Sequence, residues 1–481
     1  MLNQIIRNKT IQWLQSSDCA ILELINYIKS KGELREPQIE AIETFLFLKI
    51  KGQNKPLWEL FASGFFINGT DLTKLNINQK AREYLENNVS AFSLFDFSRQ
   101  KIDGKSLLPN LEKEITENPT SLNYEEIIKK LFYNVNYSDY LMSLPMGSGK
   151  TYLMGAFIYL DLYFASIEPD NKNFAHNFLV LIPSGLKTSI GPSLRTIEDF
   201  DPSWVIPEPS ASHLKKILKF DVLDESKSAK QSNKARNPNA QIVNECLPNP
   251  FGQVFVVNAE KVILNKIDLS EQLELIEQDE DEEDKKANEL RALIGKIPNL
   301  SILIDEVHHA AKSDIKLRQV VNRWNAKGSI TTVLGFSGTP YLTSAEKIEL
   351  TTDDTLKISE ITNTVYYYPL TKAIESFLKK PTVKIADNLS HLQIVKQGVE
   401  DFNNTYGTLI YENETIAKVA IYCSNIEMLE DEIYPYLQSE LKINPDEILK
   451  FHGGNKTYSL PVENELEFKS LDTKLSKKKY I

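Results

Sequence analysis

Cysteine is scarce in this chain of 481 residues: Cys19, Cys246 and Cys423 stand far apart, in no spacing that suits a metal and with no prospect of a disulfide framework. That scarcity fits a reducing compartment, and the expected location is the cytoplasm. Long hydrophobic runs are missing as well. No stretch approaches about 18 consecutive apolar residues, so no transmembrane helix is expected and a membrane is not among the expected partners. The opening residues, MLNQIIRNKTIQWLQ, carry neither an apolar core nor a small-residue cleavage site, which argues against a signal peptide. Positive charge is not in excess: 55 Lys and Arg stand against 66 Asp and Glu, a formal net charge of −11. Wholesale attraction to nucleic acid is thereby excluded, whereas a local basic cleft is not. No internal repeat is visible.

The length allows about three domains. Residues 1–50 read as N-terminal helices, with Ile39, Ile42, Phe45, Leu46 and Leu48 near helical spacing behind Pro37. Residues 51–136 read as an all-helical insertion. From 137 the pattern changes to short β-branched runs alternating with helical segments: Tyr140–Leu144, Phe178–Ile182, Val254–Val257, Ser301–Ile304 and Thr331–Phe336. Such runs predict a parallel sheet covered on both faces, hence an α/β class with a first domain over 137–378. A second α/β unit is expected over 379–481, with a strand at Lys418–Cys423 and a helix from Ile426 to Leu437. One strand–helix pair is too little for a whole domain, so the stop at Ile481 reads as a cut in a longer protein. Two charged stretches, 225–241 (basic) and 277–286 (acidic), read as solvated surface, the basic one alternatively as a contact to a phosphate backbone.

Three motifs carry chemistry. Pro145-Met146-Gly147-Ser148-Gly149-Lys150-Thr151 follows a strand and opens a helix. Glycines let backbone N–H groups close around phosphate oxygens, and the helix aims its positive end at the same anion. Lys150 would pair with the β- and γ-phosphates of ATP, and the Thr151 hydroxyl would bind Mg²⁺. Asp305 and Glu306 end the aliphatic run Ile302-Leu303-Ile304. Adjacent carboxylates there call for a cation, so Asp305 is the expected second Mg²⁺ ligand and Glu306 the group that polarises the attacking water. His308 and His309 follow. Neither Cys nor further His lies nearby to make zinc attractive, and His308 is expected to reach Ser337 and Thr339 on the Ser337-Gly338-Thr339-Pro340 turn, coupling hydrolysis to a distant surface. The catalytic set expected is thus Lys150, Asp305, Glu306 and His308.

In this order the three segments resemble motifs I, II and III of superfamily 2 helicases of the DEAD/DEAH-box group, and within it the helicase subunit of type III restriction enzymes. The resemblance covers roughly 34–50 and 137–481. It implies a RecA-like P-loop NTPase domain, an incomplete second RecA-like domain and a helical insertion. Leu34-Arg35-Glu36-Pro37-Gln38-Ile39 is similar to the adenine-reading segment of these proteins, with Gln38 on the base, although Gln38 lies 112 residues before Lys150. Ser184 and Gly185 resemble motif Ia and Asn258 a motif Ib or Ic position, all implied contacts to a nucleic-acid backbone. Tyr366 to Glu375 and Phe377 to Pro381 are similar to the passage joining two motor domains. Motifs V and VI are absent, so the chain is expected to bind ATP and Mg²⁺ but turn over slowly for want of an arginine finger. The function implied is an ATP-driven helicase or translocase in restriction or phage defence, on DNA ahead of RNA, with a methyltransferase or nuclease subunit as an implied partner. An RNA helicase, and an ATP-dependent switch or scaffold without motor action, are the alternatives.

Overall fold

Seven short runs of the chain pair side by side, all in the same direction. The computed structural model describes residues 2–67, 69–102, 105–182, 190–223, 238–248, 250–262, 289–305, 311–349, 355–378, 387–411, 414–454, 457–471 and 476–481. The strands are β1 (Ser138–Ser143), β2 (Asn177–Ile182), β3 (Lys219–Val222), β4 (Gln253–Asn258), β5 (Leu300–Ile304), β6 (Ile330–Ser337) and β7 (Thr364–Tyr367). They form one sheet in the order β7-β1-β6-β5-β2-β4-β3, every neighbouring pair parallel. The fold is α/β, and its sheet is that of a RecA-like domain.

The apolar runs pair in parallel because both of their faces are buried. In β2, Phe178, Val180 and Ile182 enter one hydrophobic core while Leu179 and Leu181 enter another; in β4, Val254 and Val256 part from Phe255 and Val257 in the same way. This period-2 division explains why the sequence shows unbroken apolar runs rather than alternation. β3 (KFDV) and β7 (TVYY) were not expected as strands. They are the two edges of the sheet, where one neighbour suffices and polar or tyrosine side chains are tolerated. A two-stranded antiparallel hairpin, Tyr341–Glu349 with Thr355–Glu360, stands between β6 and β7.

The chain divides into two units, Met1–Lys380 and Pro381–Ile481. In the first, helices α1 (Leu2–Leu14), α2 (Leu22–Lys31) and α3 (Glu36–Leu46) precede the sheet. α2 stops at Gly32, whose φ of 68° suits a residue without Cβ. α3 buries Ala41, Ile42, Phe45 and Leu46, and Phe45 stacks on Phe157 of α4 (Lys150–Ile167) at 4.3 Å. Among the described residues of 51–136 the regular elements are helices, with turns and loops between them, and one departure from the all-helical expectation: Lys101–Ile102 and Lys105–Ser106 pair as a minimal hairpin.

In the second unit, helix α5 (His391–Thr405) packs Val399 and Phe402 against Ile433, Leu437, Ile448 and Tyr480. The strand expected at Lys418–Cys423 is not formed. Val419 makes an isolated parallel bridge to Tyr480, which bridges Ile448 on its other side. Backbone bonds such as Val419 N–H to the Lys479 carbonyl (2.8 Å) and Ile481 N–H to the Val419 carbonyl (2.9 Å) join the two segments, and Val419 and Ile421 pack on the core that contains Tyr480. The bridges join single residues rather than a run, so no ladder forms along 418–423. The helix expected from Ile426 is present as a wide turn over Met428–Ile433 continuing into Tyr434–Ser439. No helix among the described residues is long and apolar enough to cross a membrane.

A wholly buried ion pair ties the N-terminal segment to the sheet. Lys49 approaches Asp161 of α4 at 3.2 Å with both side chains at most 1% exposed, and its ammonium also donates to the Thr332 hydroxyl of β6 (2.7 Å) and the Asn173 carbonyl (2.8 Å). Burial pushes the ammonium down and the Asp161 carboxyl up to about 6, each partner offsetting part of the other's desolvation. Asn54 extends the link, donating to the Thr331 carbonyl (2.8 Å) and accepting from the Thr332 hydroxyl (3.1 Å), while Ser138 of β1 donates to its carbonyl. Removing one charge leaves the other buried alone. Lys49→Met or Asp161→Leu is expected to cost about 3–5 kcal/mol each, and the two together clearly less than the sum. Urea unfolding of the three variants measures this; additive losses would show that the pair is not coupled.

Candidate nucleotide site

All the strands of a parallel sheet end on the same edge, and ligands of open α/β sheets bind there. β1 runs into the loop 144–149, β5 into Asp305, β6 into Ser337, and β4 ends on Asn258. β6 alone lies between β1 and β5. Two strand spacings put the ends of β1 and β5 about 10 Å apart, room for a phosphate and a hydrated cation between them.

The loop is built by its glycines. Gly147 has φ 76° and Gly149 φ 84°, both in the left-handed region, and Gly149 caps the start of α4. Ser148 is buried and closes the turn by donating to the Pro145 carbonyl (2.7 Å), whereas Met146 is 79% exposed. The Lys150 ammonium nitrogen is buried at the first turn of α4. Thr151 follows, half-buried. Backbone bonds on both sides fix the end of β1: Leu144 N–H donates to the Ser337 carbonyl, and Tyr368 N–H to the Ser143 carbonyl, each at 2.9 Å. Asp305 is positioned likewise, its N–H bonded to the Leu181 carbonyl of β2 at 3.0 Å.

Gln38 returns to this loop across the whole insertion. It is 5% exposed, and both ends of its amide are engaged. Its Oε1 accepts from the Arg35 N–H (2.9 Å), capping α3, and its Nε2 donates to the Gly149 carbonyl (3.1 Å). Here the side chain expected on the adenine base holds the phosphate loop. Arg35, which no sequence signal singled out as a contact, donates from Nη1 to the Gly147 carbonyl (2.5 Å) and lies over the Phe377 ring at 4.7 Å. Leu378 comes so close to Gly147 that a Cβ there would stand 3.3 Å from it.

The Ser337 hydroxyl donates to the Thr339 carbonyl (2.7 Å) and accepts its N–H (3.2 Å), so the two expected coupling residues close a turn on each other. Glu306, His308 and His309, as well as Ser184 and Gly185, lie outside the described residues. Asn258, by register, sits opposite Ile182 at the strand end that leads to those last two.

Residues 119–342 match the family model of the type III restriction enzyme, res subunit. Over that span the protein carries a res-subunit domain, of the superfamily 2 helicase type. No curated protein matches the chain. The res-subunit domain takes in β1 to β6, the phosphate loop, Asp305 and the Ser337–Thr339 turn, whereas Arg35, Gln38 and Lys49 lie ahead of it. Its family implies an ATP-dependent, helicase-type motor that acts on nucleic acid and uses ATP, usually with Mg²⁺. Thr151 and Asp305 carry a hydroxyl and a carboxylate, hard oxygen donors of the kind that suits Mg²⁺. Among the described residues no cluster of three His, Cys, Asp or Glu side chains could hold a metal ion.

The glycine at 149 is testable. A Cβ there would meet Gln38 Nε2 at 2.6 Å and would also be strained at φ 84°. Gly149→Ala is expected to lose about 1–3 kcal/mol of stability and to lose nucleotide binding. Adding Gln38→Ala removes the clash but not the strain, so only part of the stability returns. Thermal unfolding of both variants checks this, and full recovery in the double variant would assign the whole cost to the clash.

Proposed function

We propose that this chain is the ATP-hydrolysing part of a DNA helicase or translocase serving restriction or phage defence. The observation that carries the reading is the placement of the 145–151 loop and Asp305 on one sheet edge, two strands apart, within a res-subunit domain. The backbone N–H groups of the loop and the Lys150 ammonium bind the β- and γ-phosphates and hold them in line. Thr151 and Asp305 would hold Mg²⁺, which supplies neutralisation of phosphate charge when bound. Glu306 would take the proton of the attacking water, and His308, Ser337 and Thr339 would couple hydrolysis to movement on the track. Ser184, Gly185 and Asn258 touch the nucleic-acid backbone, an interaction dominated by phosphates and therefore weakened by salt. A methyltransferase or nuclease subunit is the partner this context calls for.

Three enzyme preparations test the reading. Lys150→Ala is expected to weaken ATP binding at least about 30-fold. Glu306→Gln should keep binding and lower turnover by about 10²–10⁴. The unaltered chain should hydrolyse ATP faster with double-stranded DNA than with single-stranded DNA or RNA, and chelation of Mg²⁺ should abolish turnover. Undiminished turnover in Glu306→Gln removes that residue from the base role, and stimulation by RNA alone replaces the DNA reading.

A further inference from the structure

One residue beyond Thr151 the chain carries an aromatic ring that the phosphate chemistry does not use. Tyr152 is 43% exposed, at the first turn of α4. Behind it stands a column of rings. Trp204 stacks on Tyr152 with centroids 6.0 Å apart and planes 17° from parallel. Trp204 meets Phe200 edge-on at 5.4 Å, and Phe200 stacks on Tyr159 at 5.9 Å. Phe200 and Tyr159 are fully buried, so the column rises from the core and surfaces at Tyr152. Gly155 makes the column possible: a Cβ there would lie 2.9 Å from the Phe200 ring. The loop that bears Trp204 is tethered from two sides, by the Tyr27 hydroxyl donating to the Ser203 carbonyl (2.7 Å) and by Lys215 donating to the Phe200 carbonyl (2.8 Å).

The place of this ring is informative. A Cβ built on Gly149 would have the Tyr152 ring edge at 3.8 Å and the Gln38 amide at 2.6 Å. The ring and the amide therefore flank the same side of the phosphate loop, next to where an anchored triphosphate continues into sugar and base. A planar side chain whose partner ring holds it still loses little freedom when a second plane stacks on it.

We propose that Tyr152, backed by Trp204, is the stacking platform for the base of the bound nucleotide. The proposal rests on the ATP-binding reading of the 145–151 loop and adds the base-binding face to it. The ring sets affinity for a nucleoside triphosphate and leaves affinity for the phosphates alone unchanged.

Equilibrium binding of Mg·ATP and of Mg·tripolyphosphate to the full chain tests it, with unfolding curves to show that each variant is folded. Tyr152→Ala is expected to weaken ATP about 5- to 100-fold, the usual range for losing one base–aromatic stack, with tripolyphosphate unaffected. Tyr152→Phe, which keeps the ring, should bind both like the unaltered chain. Equal ATP affinity in Tyr152→Ala and the unaltered chain overturns the proposal. So does a parallel loss of both ligands, which would make the ring a support for the loop. If the unaltered chain and Lys150→Ala bind ATP equally poorly, the nucleotide reading itself fails and this proposal with it.

Discussion

Parallel pairing is the constraint on which the rest of this molecule depends. Strands that all run the same way cannot be joined by tight turns, so each connection must cross back over a face of the sheet. Two consequences follow. Both faces are covered, which is why β2 and β4 send alternate side chains into two separate cores. The C-terminal strand ends gather on one edge, which brings the phosphate loop, Asp305, Ser337 and Asn258 together although Asn258, the nearest of the later ones, stands 107 positions beyond Thr151. Main-chain bonds, such as Leu144 N–H to the Ser337 carbonyl, join the strand ends, and the Gln38, Arg35 and Ser148 side chains hold the loop that follows β1.

The N-terminal helices are bound into this arrangement at two depths. Near the surface, Gln38 and Arg35 hold the carbonyls of Gly149 and Gly147. Deeper, Lys49 reaches Asp161 on the helix that the same loop opens, and Thr332 on the strand that leads to Ser337. A buried charge pair adds little net stability over apolar side chains of the same size, but it tolerates few alternative packings because either charge alone is costly. Its effect here is registry: α3, α4 and β6 meet in one arrangement, and the 51–136 stretch leaves and returns without disturbing it.

Much of this was legible in the sequence, and the parts that were not share a reason. Five strands announced themselves because burial on both faces demands continuous β-branched and aromatic runs. The two edge strands did not, since Lys219-Phe220-Asp221-Val222 needs a partner on one side only. The glycines at 147 and 149 were readable because left-handed backbone at the start of a helix demands them. Nothing local marks Lys49 and Asp161 as a buried pair; only the meeting of residues 112 apart does so. Arg35 was passed over for the same reason, its partners Gly147 and Phe377 lying far along the chain. Tyr152 carries no local signal of this role, since its column of rings exists only after Phe200 and Trp204 fold back upon it.

The charge distribution sharpens the functional reading. A chain of net charge −11 repels anions on average, so any triphosphate must be attracted by a local field. Lys150 supplies one cation at the loop, and Arg35 a second whose guanidinium lies over the Phe377 ring at 4.7 Å. Arg35 reaches the loop only because α3 is fixed there, through the Gln38 amide and the buried Lys49. The phosphate loop and Phe377, close to the boundary at Lys380, therefore share one arginine.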